Sequence, residues 1–290
     1  MKRVLIIGNG AIGVALGAEL MRLGFAPGYV GREGPLAIKA LYEGPTCRRV
    51  LEFPAPDAGF LREAAVVLVA VKAFDLTAAL ASLGNLTPGT PVVPFSNGAV
   101  EDVVRAAAAR RPELVWRLGF CTFGVSAPEP GRFVMRSRFG EAGFGPWQPE
   151  NEAPSPVERE LTRADALYAW HPNIRVLHHR KWLYNTVINT LVAARRLPCN
   201  GDILGDLPML TAVFNEAYAL GGTLWGAWPL AREELYKGLL ELVQATMDNE
   251  NSMARDRRLG RQTESAYLAG LAQDPRQYPL LVELHKAIAG

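Results

Sequence analysis

The sequence predicts an α/β domain with a parallel sheet, followed by an all-α domain. Three observations support this fold class. The chain begins with a short apolar, β-branched run at residues 4–7, which leads into a glycine-rich turn and then a helix-competent stretch. Residues 66–71 and 91–95 form further apolar runs, as buried strands require. After Ile174 the remaining chain reads as helices, and no convincing strand pattern is found.

The glycine-rich turn has the form Gly-x-Gly-x-x-Gly, with a strand before it and a helix, residues 14–23, after it. It consists of Gly8, Asn9, Gly10, Ala11, Ile12 and Gly13. The first two glycines permit a tight turn and the close approach of a pyrophosphate. The third lets the helix pack on the strand, and the helix N-terminus faces the phosphate charge. We therefore interpret the first domain as a Rossmann-type dinucleotide-binding domain.

The second strand, residues 28–31, ends at Arg32. Folds selective for NAD commonly place Asp or Glu near this point to bind the ribose 2′-hydroxyl, whereas an arginine suits a 2′-phosphate. The first carboxylate after this strand is Glu33, which follows Arg32. Arg32 could also be an exposed loop arginine, but the pattern favours NADP as the cofactor.

Polar side chains follow two of the predicted strands. Lys72 comes directly after residues 66–71, and Asn97 lies two positions after residues 91–95. Ligands of doubly wound sheets sit beyond the carboxyl ends of the strands. Each residue alone could be an ordinary loop residue, yet their placement at consecutive strand ends favours a functional role for both.

The pattern changes to strand, turn and strand between residues 114 and 145. Residues 114–126 and 133–138 predict two strands around a turn at residues 129–132, and residues 140–145 predict a possible third. We expect these strands to extend the first sheet in antiparallel fashion.

The first domain is expected to end in a Pro-rich loop and a helix, residues 157–170. The domain boundaries predicted in this way are 1–171 and 172–290. The second domain would supply the substrate side of a cleft. Its helices are predicted at residues 174–196, 208–225, 231–242, 261–271 and 280–288.

One helical stretch, residues 180–191, is predicted to join the two halves of the chain. Lys181, Asn185 and Asn189 fall at i, i+4 and i+8 and so share one face of an otherwise apolar helix. Buried polar groups need partners, since an unpaired one costs about 1–3 kcal/mol. A substrate and a cofactor could supply them. The alternative is a lysine that reaches solvent and two asparagines bonded to backbone or water.

Composition and charge argue against several kinds of partner for this protein. The formal net charge is +2, without a long basic or acidic run, which argues against nucleic acid or an anionic membrane as partner. There is no run of 18 apolar residues, and we expect no secretory leader. Cys47, Cys121 and Cys199 are scattered, which predicts a reduced, cytoplasmic protein. The four histidines form no ligand pairs with nearby cysteines or carboxylates, so no metal site is predicted.

Several separate stretches, in order along the chain, together resemble the ketopantoate reductase family, the 2-dehydropantoate 2-reductases. Members of that family reduce a 2-oxo acid with NADPH on the route to pantothenate. The stretches are residues 8–13, Gly31-Arg32, Val71-Lys72-Ala73, Ser96-Asn97-Gly98, Arg180-Lys181 with Asn185 and Asn189, residues 249–256 and residues 260–264.

The resemblance implies roles for individual residues. Lys181 resembles the general acid that protonates the ketone oxygen, and Glu264 resembles the glutamate that assists it and holds the substrate hydroxyl. Residues 8–13 would cradle the pyrophosphate and Arg32 the 2′-phosphate, with Lys72 and Asn97 along the cofactor near its nicotinamide end. The residues expected to bind the substrate are Asn97, Lys181, Asn185, Asn189, Asn249 and Ser252.

Alternatives remain for part of this set. Glu264 could be a solvated helix residue paired with Arg261. Asn249 and Ser252, spaced i, i+3, would share a helix face, or they could be ordinary polar surface.

The chain also departs from the family pattern. Ala266 stands where a second polar residue is expected, and residues 273–279 lack the expected Gly-Ile-x-x-Pro-x-Asn stretch. Trp225, Trp228 and Tyr184 add unusual bulk in the second domain. These departures bear on which 2-oxo acid is the substrate more than on the reaction class.

The leading hypothesis is an NADPH-dependent reductase that converts 2-dehydropantoate to (R)-pantoate. One alternative is the same chemistry on another small 2-oxo acid. A second is an opine-type dehydrogenase, which usually relies on a His–Asp pair for the proton. A third is a nucleotide-sensing regulator that has lost the chemistry. The apolar surface of the helical second half would suit a homodimer.

Overall fold

The structure is a computed structural model that describes residues 1–44, 48–135, 140–147, 153–163 and 165–290. Cys47, residues 136–138 of a predicted strand and part of the predicted Pro-rich loop lie outside the described residues. The chain divides into two compact units. The first comprises Met1–Ser96 and Val100–Arg175, and the second comprises Asn97–Ala99 and Val176–Gly290. The predicted class, α/β followed by all-α, is confirmed.

The first unit is built on an eight-stranded, mainly parallel sheet. Its strands, in sheet order, are β12 (Tyr168–Trp170), β11 (Ala142–Pro146), β8 (Val115–Cys121), β7 (Pro91–Pro94), β6 (Val66–Val69), β1 (Arg3–Ile7), β2 (Ala26–Gly31) and β3 (Gly34–Leu36). Its helices are α1 (Ala11–Arg22), α2 (Ala58–Arg62), α3 (Ala73–Ala81), α4 (Glu101–Arg110) and α5 (Pro156–Leu161). Strands β1, β6 and β7 are buried at nearly every position, as a sheet covered by helices requires.

A second, four-stranded sheet was not predicted. Its order is β5 (Arg48–Phe53), β4 (Ile38–Glu43), β10 (Arg132–Met135) and β9 (Val125–Glu129). Strands β4 and β5 alternate buried and exposed residues, which is typical of a sheet with one face on the core. The expectation that residues 114–145 extend the first sheet in antiparallel fashion is therefore wrong in two respects.

First, β8 runs parallel to β7, because α4 supplies the crossover that a parallel neighbour needs. Second, β9 and β10 leave the large sheet and join the small one, where β10 pairs with β4 and β9. Only β11 adds to β8 in the predicted antiparallel sense.

The helix predicted over residues 157–170 is also wrong in its second half. Helix α5 begins at a capping box between Ser155 and Glu158 and ends after one and a half turns. Residues 168–170 form the edge strand β12, parallel to β11. The Tyr168 hydroxyl donates to the Leu16 carbonyl at 2.9 Å and so ties β12 to α1. The helix gives way here because the backbone of residues 168–170 pairs with β11, which local spacing does not reveal.

The second unit is helical. It contains most of α6 (Ile174–Ala194), with α7 (Leu207–Trp225), α8 (Arg232–Ala245), α9 (Ser252–Arg258) and α10 (Pro279–Ala289). Its core is lined by buried side chains of α6, α7, α8 and α10. No helix in the described ranges is long and apolar enough to cross a membrane.

The helix predicted over residues 261–271 is not formed. Two short 3-10 turns, Ser265–Tyr267 and Ala269–Leu271, stand in its place. Gly260 ends the preceding helix with a φ of 63°, and Leu268 lies between the turns at a φ of −123°. Both conformations are incompatible with an α-helix. Leu268 and Ala269 of this stretch therefore join the core of the second unit from irregular structure.

A buried ion pair fixes α5 to the sheet in the first unit. The Arg117 guanidinium, 3% exposed, bonds the fully buried Glu158 carboxylate at 2.7 and 3.1 Å. Glu158 also accepts from the Ser155 backbone N–H at 2.7 Å, and the Arg117 guanidinium lies 5.1 Å from the Trp170 ring. Burial by itself would raise the pKa of Glu158, but these hydrogen bonds outweigh it and hold the pKa below its ordinary value of 4.5.

We expect Glu158→Gln to destabilise the protein by about 3–5 kcal/mol at pH 7, because it leaves the Arg117 cation buried without its anion. Since the folded pKa of Glu158 is depressed, the stabilisation is present above the unfolded pKa and is lost as the pH falls through the folded value. The difference in free energy of unfolding between wild type and variant should therefore shrink below about pH 4.5. Urea unfolding followed by circular dichroism from pH 3 to pH 8 measures it.

The matched control is Glu52→Gln. Glu52 pairs with Lys39 at the surface, where the two side chains are 65% and 80% exposed. We expect a cost below about 1 kcal/mol there. Equal costs for the two variants would show that the buried pair has no special role in stability.

Candidate functional site

The glycine-rich turn has the steric form that the motif predicts. Gly8 has a φ of 107°, and a Cβ atom there would lie 2.5 Å from the Ala70 carbonyl oxygen. A Cβ atom on Gly13 would lie 2.1 Å from the Gly8 oxygen, so helix α1 can approach the strand only through a glycine. A Cβ atom on Gly10 would meet nothing within 4 Å.

The N-terminus of α1 is suited to an anion. Gly10 is its N-cap and provides no side-chain hydrogen bond, and the first turn has no acidic residue. Backbone N–H groups at such an end carry partial positive charge and bind phosphate readily. Asn9 and Gly10 are exposed, and Ala11 and Ile12 are half-buried. The turn therefore fits a pyrophosphate.

The loops after β6 and β7 lie side by side. The Ser96 hydroxyl donates to the Val71 carbonyl at 2.8 Å and ties one loop to the other. Lys72, half-buried, is the N-cap residue of α3. Asn97 follows Ser96 directly but belongs by its contacts to the second unit. The sequence places Lys72 and Asn97 at consecutive strand ends, as the structure finds.

Arg32 lies directly after β2 and is 83% exposed. Its guanidinium bonds both carboxylate oxygens of Asp75, at 3.0 and 2.9 Å. Asp75 stands in the first turn of α3. Arg32 is thus exposed but paired, and one nitrogen of its guanidinium is engaged by the Asp75 carboxylate.

The second unit brings three of the predicted site residues together. The Lys181 ammonium donates to Oδ1 of Asn97, and Nδ2 of Asn97 donates to Oε2 of Glu264 at 3.3 Å. Glu264 is only 5% exposed, whereas Lys181 and Asn97 are half-buried. The alternative of a solvated Glu264 is wrong, because its carboxylate is buried and accepts from Asn97.

Asparagine suits the middle of this set because it can accept and donate at once. Its carbonyl oxygen faces the cation and its amide N–H faces the carboxylate, so the orientation of the amide is fixed. An aspartate at position 97 would place a second anion beside Glu264. A buried carboxylate requires such hydrogen bonds, since an unpaired one costs several kcal/mol.

The backbone carbonyl of Tyr267 holds the same three segments. It accepts from the Ala99 backbone N–H at 3.1 Å and from the indole Nε1–H of Trp182 at 3.1 Å. Trp182, 1% exposed, adjoins Lys181, and Ala99 lies two residues after Asn97. The Tyr267 N–H in turn donates to the Glu264 carbonyl at 3.0 Å. One carbonyl therefore sets the distances between the segments that carry the three polar groups.

Gly98 makes this arrangement possible. Its φ is 98°, and a Cβ atom there would lie 2.5 Å from Cβ and 2.9 Å from the carbonyl oxygen of Tyr267. Only glycine combines that backbone conformation with so close an approach. Sequence reasoning passed over Trp182 and Tyr267, because a backbone acceptor has no side-chain signature. The glycine after Asn97 is the one signal that could have indicated it.

The face of α6 that carries Lys181 continues as predicted. One unbroken helix holds Lys181, Asn185 and Asn189 at four-residue spacing, with Asn185 half-buried and Asn189 only 8% exposed. Their roles toward a substrate stay predictions.

The bulky residues noted in the sequence pack largely on one another. The Trp225 ring stacks on His179 with centroids 3.9 Å apart and meets the Trp182 ring edge to face at 4.8 Å. The Trp228 indole N–H donates to the Tyr218 carbonyl at 2.9 Å, and Tyr184 is 8% exposed. Tyr184 therefore belongs to the core of the second unit, and the half-buried Trp225 and Trp228 pack against that core.

Asn249 and Ser252 do not share a helix face, contrary to the prediction. Asn249 lies two residues before the N-cap Asn251, and Ser252 is the first residue of α9. Both side chains are exposed. The buried residue here is Asn251, which caps α9 through Ala254 N–H at 2.9 Å and donates to Asn200 at 3.2 Å. Because Asn251 is the N-cap, α9 begins at Ser252 and Asn249 lies outside the helix.

Comparison with known families gives two matches that cover most of the chain. A model described as "Ketopantoate reductase PanE/ApbA" matches residues 4–149, and one described as "Ketopantoate reductase PanE/ApbA C terminal" matches residues 173–272. A 2-dehydropantoate 2-reductase of Salmonella typhi is 27% identical over 217 residues, which are 74% of this chain and 69% of the relative.

Solved structures show the same fold at lower identity. A PanE/ApbA family ketopantoate reductase from Ralstonia eutropha superposes with a TM-score of 0.82 at 20% identity, covering 100% of this chain and 97% of the other. A D-mandelate dehydrogenase solved with NADH and anilino(oxo)acetate gives a TM-score of 0.80 at 18% identity, covering 100% and 97%. At these identities the likeness concerns the fold.

We expect Gly98→Ala to destabilise the protein by about 1–3 kcal/mol, because an alanine is strained at the positive φ of position 98 and its methyl group would collide with Tyr267. The free energy of unfolding in urea measures this. The control is Gly222→Ala in α7, where a Cβ atom would meet nothing within 4 Å. That change should be neutral or stabilise by up to about 1 kcal/mol. Equal effects at the two positions would contradict the role given to Gly98.

Proposed function

The chain belongs to the ketopantoate reductase family, and from this we propose that it reduces 2-dehydropantoate to (R)-pantoate with NADPH. This would be a step of pantothenate and coenzyme A biosynthesis. The observation that carries the proposal is the hydrogen-bonded set of Lys181, Asn97 and Glu264 in the second unit. It joins a proton donor, a neutral bridge and a carboxylate at the positions that match the family.

The residues of the first unit fit NADP. Gly8 and Gly13 permit the tight turn, and a Cβ atom on Gly10 would meet no protein atom within 4 Å, which leaves room for a pyrophosphate. The N-terminus of α1 has no side-chain cap, and Arg32 presents a guanidinium suited to a 2′-phosphate. When bound, the cofactor supplies the hydride that adds to C2 of the 2-oxo acid.

Lys181 is proposed as the general acid. Hydride addition leaves negative charge on the ketone oxygen, and the transition state is stabilised by a cation positioned to protonate it. Asn97 would hold the ammonium in place through its own carbonyl oxygen. Glu264 would keep Asn97 oriented and would supply negative charge that favours the protonated lysine.

The substrate would be recognised by polar residues of the second unit. Asn185 and Asn189 stand on the lysine face of α6, where their amides can bond the hydroxyl and carboxylate of a small 2-oxo acid. Exposed Ser252 adjoins the N-terminus of α9, and Asn249 precedes it. A carboxylate grip by Ser252 and Asn249 would come from this loop and helix start, not from one helix face.

Reduction of a different small 2-oxo acid is the second candidate. The departures at Ala266 and at residues 273–279 favour it, and the rates with several 2-oxo acids side by side would decide. The opine-type alternative is disfavoured because a lysine, not a histidine, holds the donor position. A cytoplasmic location and a homodimer stay predictions of the sequence.

We expect Lys181→Ala to lower kcat for 2-dehydropantoate reduction by about 10²- to 10⁴-fold, because the general acid is removed. The dissociation constant for NADPH should change little. Stopped-flow or steady-state absorbance at 340 nm measures turnover, and quenching of protein fluorescence measures cofactor binding.

The control is Lys237→Ala, the same change at an α8 lysine that is 78% exposed. It should leave both quantities unchanged. A wild-type protein that binds NADPH but turns over no 2-oxo acid would support a sensor. A Lys181→Ala variant with wild-type kcat would remove Lys181 from the mechanism.

A further inference from the structure

The Arg32–Asp75 pair has a consequence for the choice between NADPH and NADH. One guanidinium nitrogen of Arg32 bonds both oxygens of the Asp75 carboxylate, at 3.0 and 2.9 Å. A 2′-phosphate at Arg32 would draw on the same guanidinium, since a guanidinium binds phosphate and carboxylate alike. The Asp75 carboxylate and a 2′-phosphate would therefore compete for the Arg32 guanidinium.

The position of Asp75 is fixed by its helix. It lies in the first turn of α3, its backbone N–H donates to the Lys72 carbonyl at 2.9 Å, and its side chain is only 34% exposed. An acidic residue in the first turn is stabilised by the helix dipole. The carboxylate is thus held near Arg32 by the backbone and not by the ion pair alone.

A carboxylate at this place has two effects on a bound dinucleotide. It accepts a hydrogen bond from a ribose 2′-hydroxyl, the interaction by which many dinucleotide-binding domains select NAD. It also repels a 2′-phosphate, which carries up to two negative charges near neutral pH. In the sequence, the nearest carboxylate after β2 is that of Glu33. The fold brings a second carboxylate, that of Asp75 in α3, to the end of the same strand.

We propose that Asp75 is a specificity-determining residue that lowers the preference for NADPH and lets NADH bind. This rests on the proposed function in one respect, namely that Arg32 meets the 2′-phosphate. Arg32 attracts the phosphate and Asp75 opposes it, so the preference for NADPH over NADH is smaller than Arg32 alone would give.

The test is the dissociation constant of each reduced cofactor, measured by nicotinamide fluorescence on the full chain without substrate. Asp75→Asn keeps the size of the side chain and removes its charge. We expect NADPH to bind about three- to tenfold tighter to this variant, because competition and repulsion are both relieved. NADH should bind as before or more weakly, since the 2′-hydroxyl loses a charged acceptor.

Two further variants make the outcome decisive. Asp102→Asn makes the same change in the first turn of α4, at an aspartate 88% exposed that pairs with Arg105, and should leave both constants unchanged. Arg32→Ala should weaken NADPH binding about tenfold and NADH binding little.

Unchanged constants in Asp75→Asn, with the expected loss in Arg32→Ala, would overturn the role of Asp75 and leave the proposed function intact. Unchanged constants in both variants would instead remove Arg32 from the 2′-phosphate site. Tighter NADPH binding in Asp102→Asn equal to that in Asp75→Asn would reduce the effect to overall charge and would also overturn the inference.

Discussion

The arrangement of the candidate site in the second unit depends on one backbone carbonyl. The oxygen of Tyr267 accepts from the Ala99 N–H and from the Trp182 indole, and so uses both of its lone pairs within the fold. Asn97, Lys181 and Glu264 lie within three residues of one of these atoms along the chain. Their side chains meet because the backbone brings them there, and the hydrogen bonds between them are made on a rigid frame.

Rigidity of this kind matters for a general acid. A lysine has four rotatable bonds, and holding its ammonium in one place has an entropic cost that the fold must offset. The Asn97 carbonyl oxygen gives the ammonium one preferred partner, and the buried Glu264 fixes Asn97. Trp182, beside Lys181, locks the helix face by packing against Trp225 and bonding Tyr267. The proposed general acid is thereby preorganised, and preorganised charges are often the largest single contribution to an enzyme's rate enhancement.

Local signals in the sequence were sufficient for the fold class and the outline of the site. Residues 4–7 and the glycines after them form a strand, turn and helix, and Lys181, Asn185 and Asn189 lie on one helix, because these features depend on spacing alone. The sequence signal failed where long-range pairing decides. Strand β10 pairs with β4, about 90 residues earlier, and β9 joins the same small sheet through β10. No local pattern specifies these partners.

Other failures have equally local causes. The stretch at residues 261–271 has helical apolar spacing, yet backbone conformations at Gly260 and Leu268 break the helix. Capping by Asn251 moves the start of α9 away from Asn249. The Asp75 carboxylate was missed because it reaches Arg32 across 43 residues of chain.

The central claim is that Asn97 acts through Lys181, and a double-mutant cycle tests it most directly. The quantity is kcat for 2-dehydropantoate reduction at saturating cofactor and substrate, in Asn97→Ala, Lys181→Ala and the double variant. If the two residues work as one unit, the double variant should lose little more than Lys181→Ala alone. If the two losses multiply, Asn97 contributes independently, and the hydrogen-bonded set is not the unit that performs the chemistry.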